Sequence, residues 1–230
     1  MKILFAGGGT GGHIFPIVAI ARELRRSYAE TDLKLFYMGP EDRFGDVILS
    51  QEGIKTFTVK AGKLRRSRTL AAFFQNFSGL FFSTPIGIFR AFKILFLLSP
   101  DLIFSKGGYG AIPATVAGRL LRIPVFLHES DIVPGKANRS AEKFALEIFT
   151  SFPYTRYFPP KKVLLVGNPI RKRLLSGSRE EATKIFQLVN GKPILLIMGG
   201  SQGAQRLNDM LFAILDEVLN EFEVIHQTGE

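Results

Sequence analysis

Short apolar runs recur along the chain, each closed by a turn-forming residue, and between them apolar positions return every three or four residues. Lys2–Ala6 is one such run and stops at Gly7; a run of this length closed by glycine predicts a buried parallel strand. Residues 16–27 place Ile17, Ile20, Ala21 and Leu24 at helical spacing, which predicts a helix with one apolar stripe. The same reading predicts strands at 33–38, 55–59, 102–104, 124–128 and 148–151, with helices at 45–51, 111–121 and 137–145. Residues 69–98 read as one or two apolar helices interrupted near Pro85. Strands alternating with helices at this pitch define an α/β protein with a parallel sheet.

A stretch rich in proline and basic residues, 154–162, reads as a linker or domain edge, dividing 1–160 from 161–230. Beyond it the pattern predicts strands at 163–166, 193–198 and 223–226, and helices at 179–189 and 205–220. So little sheet predicts an incomplete second domain and a chain that is a fragment of a longer one. There is no tandem repeat, but both halves share a plan of strand, glycine turn and helix.

Composition narrows the class. Hydrophobic residues make up 46% of 230, enough for a sizeable core and against disorder. With no cysteine, a disulfide scaffold and a thiolate metal site are excluded, which fits a reducing compartment. The first residues enter a strand directly and do not read as a signal peptide. The formal charge is +10, and its placement is uneven. Residues 53–100 hold no Asp or Glu, but they hold Lys55, Lys60, Lys63, Arg65, Arg66, Arg68, Arg90 and Lys93. That excess calls for an anionic partner, nucleic acid or an acidic membrane surface. The same stretch carries Phe73, Phe74, Phe77, Phe81, Phe82, Phe89, Phe92 and Phe96. No uninterrupted apolar run there reaches the ~18–20 residues of a spanning helix. Basic residues beside aromatics suit a helix lying in the interface of an anionic membrane. A helix packed on a sheet buries one face, so about half of these phenylalanines are expected to face inward. The basic charge alone would fit a nucleic-acid binder, but the phenylalanine content and the glycine turns would not.

Three glycine turns each follow an apolar strand and precede a helix: Gly7–His13, Gly107–Gly110 and Gly199–Ala204. Glycine permits a sharp turn and close backbone approach, and the helix N-terminus that follows favours negative charge. Gly7, Gly9 and Gly12 spell G-x-G-x-x-G, a weak signal alone. The dinucleotide reading wants an acid at the end of the second strand, and here the chain reads Tyr37-Met38-Gly39-Pro40 before Glu41. Three such turns together favour a phosphate or diphosphate site.

The stretches GGGTGGHIFP (7–16), KGGYGAIPA (106–114), IPVFLHESDIVPGKAN (123–138), VGNPIR (166–171), GGSQGAQRLN (199–208) and HQTGE (226–230) closely resemble the MurG family of undecaprenyl-diphosphate-muramoylpentapeptide N-acetylglucosaminyltransferases. The resemblance implies a GT-B architecture of two Rossmann-like domains, the second incomplete here. It implies inverting, metal-independent transfer from UDP-N-acetylglucosamine, a substrate rather than a cofactor, to the muramyl 4-hydroxyl of lipid I, giving lipid II. The place implied is peripheral, on the cytoplasmic face of the bacterial membrane. By the same resemblance Thr10, Gly11, Gly12, Asp131, Arg171, Ser201, Gln202 and Gly203 bind the donor, with Arg171 and Ser201 contributed by the second domain. Gly9, Gly107, Gly108, Tyr109 and Asn138 bind the acceptor. Arg65, Arg66, Phe73, Phe77, Phe81, Arg90 and Lys93 meet the membrane. Many members read HEQN where this chain reads His128-Glu129-Ser130-Asp131; a carboxylate at 131 accepts hydrogen bonds but donates none unless protonated.

Inverting transfer needs a base for the acceptor hydroxyl, and histidine is the commonest near neutral pH. His13, at the end of the first glycine turn, is one candidate and Glu129 its rival; His13 as a helix cap or phosphate ligand stays equally open. His128 reads as a support for its loop. Nothing in the sequence reads as a metal-binding cluster. Two further classes remain: a transferase acting on another lipid acceptor, such as diacylglycerol, and a non-catalytic module that binds membrane or lipid diphosphate.

Overall fold

The computed structural model of the 230-residue chain describes residues 1–8, 10–28, 32–62, 79–153, 156–189, 191–200 and 203–229. It contains two compact units, Met1–Arg171 and Lys172–Glu230.

The first unit is built on seven parallel strands: β1 (Lys2–Ala6), β2 (Lys34–Gly39), β3 (Lys55–Thr58), β4 (Leu102–Ser105), β5 (Val125–Glu129), β6 (Glu147–Thr150) and β7 (Val163–Leu165). Their order is β3-β2-β1-β4-β5-β6-β7. The helices are α1 (Gly11–Ser27), α2 (Arg43–Gln51), α3 (Thr84–Leu98), α4 (Ile112–Leu120) and α5 (Lys136–Ala141). Side chains of β1 alternate between two cores. Leu4 and Ala6 pack with Ala91, Leu95, Ala114 and Ala117 on one face. Ile3 and Phe5 pack with Ile14, Ile17, Val18 and Leu49 on the other. Burial on both faces is why the strands read as continuous apolar runs rather than alternating ones.

This sheet is the Rossmann-like parallel sheet of a GT-B N-terminal domain, the fold class expected from the sequence. Strand order reverses between β1, which leads out through β2 to β3, and its other neighbour β4, where Ala6 pairs with Ser105. Open parallel sheets bind ligands at the carboxyl ends of the strands, at such a switch point. The first two glycine turns leave the sheet there.

Several boundaries differ from the sequence reading. β7 is not the start of a second domain: it pairs with β6 through Ile148 and Val163, Phe149 and Leu164, and Thr150 and Leu165. Residues 156–162 therefore stay with the first unit, and Phe158 among them is buried in the core. Pro85 lies in the first turn of α3, directly after a π-helical turn over Gly79–Ser83, so the helical path changes type close to the interruption expected near Pro85. Helix α1 begins at Gly11, five residues earlier than the apolar stripe indicated.

The second unit pairs β8 (Ile194–Met198) with β9 (Glu223–Gln227) in parallel. It adds the helices α6 (Arg179–Phe186), α7 (Gln205–Ala213) and α8 (Leu215–Glu221). The single helix expected at 205–220 breaks at Ile214, whose backbone leaves the helical region. Asp216 and Glu217 stand in the first turn of α8, where acids favour a fresh helix start.

Candidate active site

The first glycine turn is closed by Thr10 N–H donating to Gly8 O at 3.0 Å. The Tyr37 hydroxyl supports it from β2, donating to Gly7 O at 3.3 Å. Thr10 is the N-cap of α1, yet its side chain does not cap the helix. Its Oγ1 instead meets His13 Nδ1 at 2.8 Å. The imidazole lies between two backbones, because a Cβ added to Gly8 would stand 3.2 Å from His13 Cε1 and one added to Gly108 2.9 Å from Nε2. Burial first, then the charge on Lys106, lowers the His13 pKa below its ordinary value, and Asp131 pulls the other way. The ring is therefore neutral at pH 7.

Gly107 and Gly108 both take positive φ, 81° and 78°, a region L side chains rarely adopt. Space forbids a side chain there as well: a Gly107 Cβ would sit 2.8 Å from the Asn138 amide. The turn continues through Tyr109 into α4, with Ala111 N–H donating to Gly108 O at 3.2 Å. Burial, then Asp42, raises the Tyr109 pKa.

Glu129, at the tip of β5, is buried, and both carboxylate oxygens are engaged. Asp131 N–H donates to Oε1 at 3.0 Å. Gly135 N–H and Asn138 Nδ2 donate to Oε2 at 3.1 and 3.0 Å. Asn138 Nδ2 also lies 3.1 Å from His128 O. The carboxylate thus fastens loop 130–135 and α5 to the strand end. Asp131 itself is exposed.

Beside it runs a polar chain that sequence reading missed. Lys106, only 5% exposed, has its Nζ 2.8 Å from His128 Nδ1 and also donates to Ser130 Oγ. His128 Nε2–H donates to Gly167 O at 3.0 Å, and Ser130 Oγ donates to Asn168 Oδ1 at 3.2 Å. Burial, then Lys106, pushes His128 down to about 4. Burial likewise lowers Lys106 to about 8, against the pull of Glu129 and Asp131. A lysine inside a glycine-rich turn was the signal available in the sequence.

Arg171 belongs to the first unit, not the second. Its guanidinium stacks 4.1 Å from the Phe15 ring, and Phe15 meets Phe44 edge-on at 6.1 Å. Because β7 extends the first sheet, residues 167–171 return along its carboxyl edge and bring Arg171 beside the first glycine turn.

In the second unit Gly203 N–H donates to Gly200 O at 3.0 Å, closing the third turn ahead of α7. His226 Nε2 bonds Asn208 Oδ1 at 3.0 Å, and Asn208 Nδ2 donates to Thr228 O at 2.8 Å. Gly9, Arg65, Arg66, Phe73, Phe77, Ser201 and Gln202 lie outside the described residues. Among the described residues no group of three His, Asp or Glu side chains stands where it would hold a metal ion.

The described part of the apolar basic stretch, residues 79–98, packs by one side only. Phe81–Leu98 is, by length and average composition, apolar enough to cross a membrane, although Arg90 and Lys93 interrupt the run. Gly87, Ala91 and Leu95 on one side of α3 are buried. Gly87 lies against the Lys60 carbonyl and the Pro113 ring. Phe81, Phe82, Ile86, Phe89, Phe96 and Leu97 are exposed, and Lys93 Nζ sits 4.6 Å over the Phe89 ring. Of the five described phenylalanines in this stretch, only Phe92 packs against the core, a larger outward share than the half expected.

A seven-stranded parallel sheet with glycine turns on both sides of its switch point defines a Rossmann-like domain. Residues 3–150 match the model of the glycosyltransferase family 28 N-terminal domain, and the chain belongs to that family. It is 39% identical over its full length to a UDP-N-acetylglucosamine–N-acetylmuramyl-(pentapeptide) pyrophosphoryl-undecaprenol N-acetylglucosamine transferase of Clostridium botulinum, spanning 62% of that protein. It is 40% identical to the transferase of the same name from Shouchella clausii, again spanning 62% of it. Among solved structures it is similar to Acinetobacter baumannii MurG (TM-score 0.66, 25% identity, all of this chain and 59% of that one). A Neisseria meningitidis UDP-GlcNAc 2-epimerase shares the fold (TM-score 0.62, 16% identity, 99% of this chain and 66% of that one).

Proposed function

We propose that this chain is the acceptor-binding part, with a portion of the donor-binding part, of an inverting glycosyltransferase. The enzyme moves N-acetylglucosamine from UDP-N-acetylglucosamine to the muramyl 4-hydroxyl of lipid I. The observation that carries the reading is the pairing of the Gly7–His13 and Gly107–Gly110 turns at the switch point, with a neutral imidazole between their backbones. The N–H groups at the start of α1 and the two turns hold the acceptor diphosphate. His13 is the general base: with Nδ1–H donating to Thr10 Oγ1, Nε2 keeps a free lone pair for the hydroxyl proton. Glu129, held by three donors, positions the loop that carries Asp131. Arg171, stacked on Phe15, adds positive charge near the donor. The Gly199–Ala204 turn and α7 take the departing UDP diphosphate through backbone N–H groups and the helix N-terminus. This reading needs no metal ion.

The acceptor's lipid stays in a bilayer, so the enzyme works at a membrane surface. The exposed side of α3 is the docking face. One side of that helix is packed on α4 and the residue-60 backbone, so α3 lies in the interface rather than crossing it. Phe89→Asp with Phe96→Asp removes two exposed rings without touching the core. The pair is expected to abolish co-sedimentation with vesicles rich in anionic phospholipid while leaving the fold intact. Added salt weakens the wild-type binding. Undiminished sedimentation of the double variant would exclude this face.

The test of the reaction is transfer of labelled N-acetylglucosamine to a lipid I analogue by a chain extended through a complete second unit. The 230-residue chain alone is expected to be inactive. A folded extended chain that transfers nothing would overturn the reading.

A further inference from the structure

We propose that Lys106 is a substrate-binding residue, whose ammonium, fixed between His128 and Ser130, grips the diphosphate diester of the substrate held by the first two glycine turns. The proposal deepens the transferase reading and takes the diphosphate from it. A lysine buried to 5% exposure is rare unless its charge is paired. Here both contacts are neutral groups, the His128 imidazole and the Ser130 hydroxyl. Among the described residues Lys106 makes no ion pair. The adjacent carboxylate, Glu129, is committed to Asp131 N–H, Gly135 N–H and Asn138, and Asp131 acts only at a distance. An ammonium carries three hydrogens and two are engaged. The third, and the unbalanced charge, await an anion.

The location supplies one. Lys106 immediately precedes the positive-φ pair Gly107 and Gly108 and is the first residue beyond β4, the strand next to β1 at the switch point. His13 feels its charge from the other turn. His128 and Ser130 anchor the ammonium through Gly167 and Asn168, so it is held in place before substrate arrives. A charge-assisted contact to phosphate made by a group already ordered loses little entropy on binding.

The test measures binding directly, by calorimetry on the extended chain, with two probes: a water-soluble alkyl–sugar diphosphate diester and UDP. The diester keeps its two charges across the range used, pH 6.5–9.5. Lys106 lies at about 8. The groups facing it are His128 on β5, Glu129 and Asp131 at its end, and His13 on α1. His128 at about 4 is neutral throughout, and His13, lowered from its ordinary value mainly by burial, gains no charge as pH rises from 7 to 9.5. Diester affinity is therefore expected to fall as pH rises through about 8, as the ammonium loses its proton. Lys106→Gln is expected to bind the diester at least about tenfold more weakly at pH 7, with a flat pH profile and a native circular-dichroism spectrum. The same behaviour with UDP alone would assign the grip to the donor diphosphate. Wild-type affinity that is flat from pH 7 to 9.5 would overturn the proposal without any variant, as would a folded Lys106→Gln that binds both probes like wild type. Wild type that binds neither probe would overturn the diphosphate reading along with it.

Discussion

Replacing His13 with alanine, in a chain extended through a complete second unit, lowers turnover by about 10²- to 10⁴-fold. Affinity for UDP-N-acetylglucosamine changes by no more than about twofold. The split follows from the geometry. His13 Nδ1 is engaged by Thr10, and the ring lies against the Gly8 and Gly108 backbones. That leaves Nε2 as the basic atom at the junction of the two turns. Its lowered pKa keeps it unprotonated at pH 7 and able to accept a proton. A ring that merely capped the helix would cost stability, not turnover. A phosphate ligand would cost substrate affinity instead. Unchanged turnover in a folded His13→Ala enzyme would remove it from catalysis and return Glu129 to consideration.

Asn138→Ala is expected to destabilise the first unit by roughly 2–4 kcal/mol, since two buried acceptors each lose one donor: the carbonyl costs about 1–3 kcal/mol and the carboxylate oxygen, which keeps Gly135 N–H, about 1 kcal/mol. Those acceptors are Glu129 Oε2 and His128 O. The amide also fills the space against Gly107, where even a methyl group would collide. Its removal therefore loosens the loop after β5 and the Gly107–Gly108 turn together. Urea unfolding followed by circular dichroism measures this, and a midpoint equal to wild type would show that the Asn138 contacts carry no stability. Activity at a temperature where the variant stays folded should still fall, because Asp131 and Gly107 are no longer held.

The parallel sheet was legible because strands buried on both faces leave unbroken apolar runs, as in Leu4 and Phe5, and each run ends at a glycine or polar turn. The glycine turns were legible for the same reason, since glycine at a strand end marks a backbone that must turn sharply. The sheet order was not, because periodicity says which face a residue takes but not which strand lies beside it. That is why β7 was assigned to the wrong unit and Arg171 with it. The polar chain through Lys106 was hidden for a different reason. Lys106 and His128 stand 22 residues apart and meet only because β4 and β5 are neighbours. Glu129 read as a possible base from residue type alone, and its three donors come from a loop whose path no local pattern encodes. The outward face of α3 was legible in part. The charge and aromatic content pointed to a surface, but the buried Gly87–Ala91–Leu95 stripe that orients the helix required its packing partner.

The central claim is that the two glycine turns and His13 form the acceptor site for a muramyl-peptide diphosphate. It is tested most directly by offering the extended chain labelled UDP-N-acetylglucosamine with a lipid I analogue and diacylglycerol together in one vesicle preparation. The account predicts label on the muramyl sugar alone, with inverted, β configuration. Label on diacylglycerol, or retained α configuration, would contradict it.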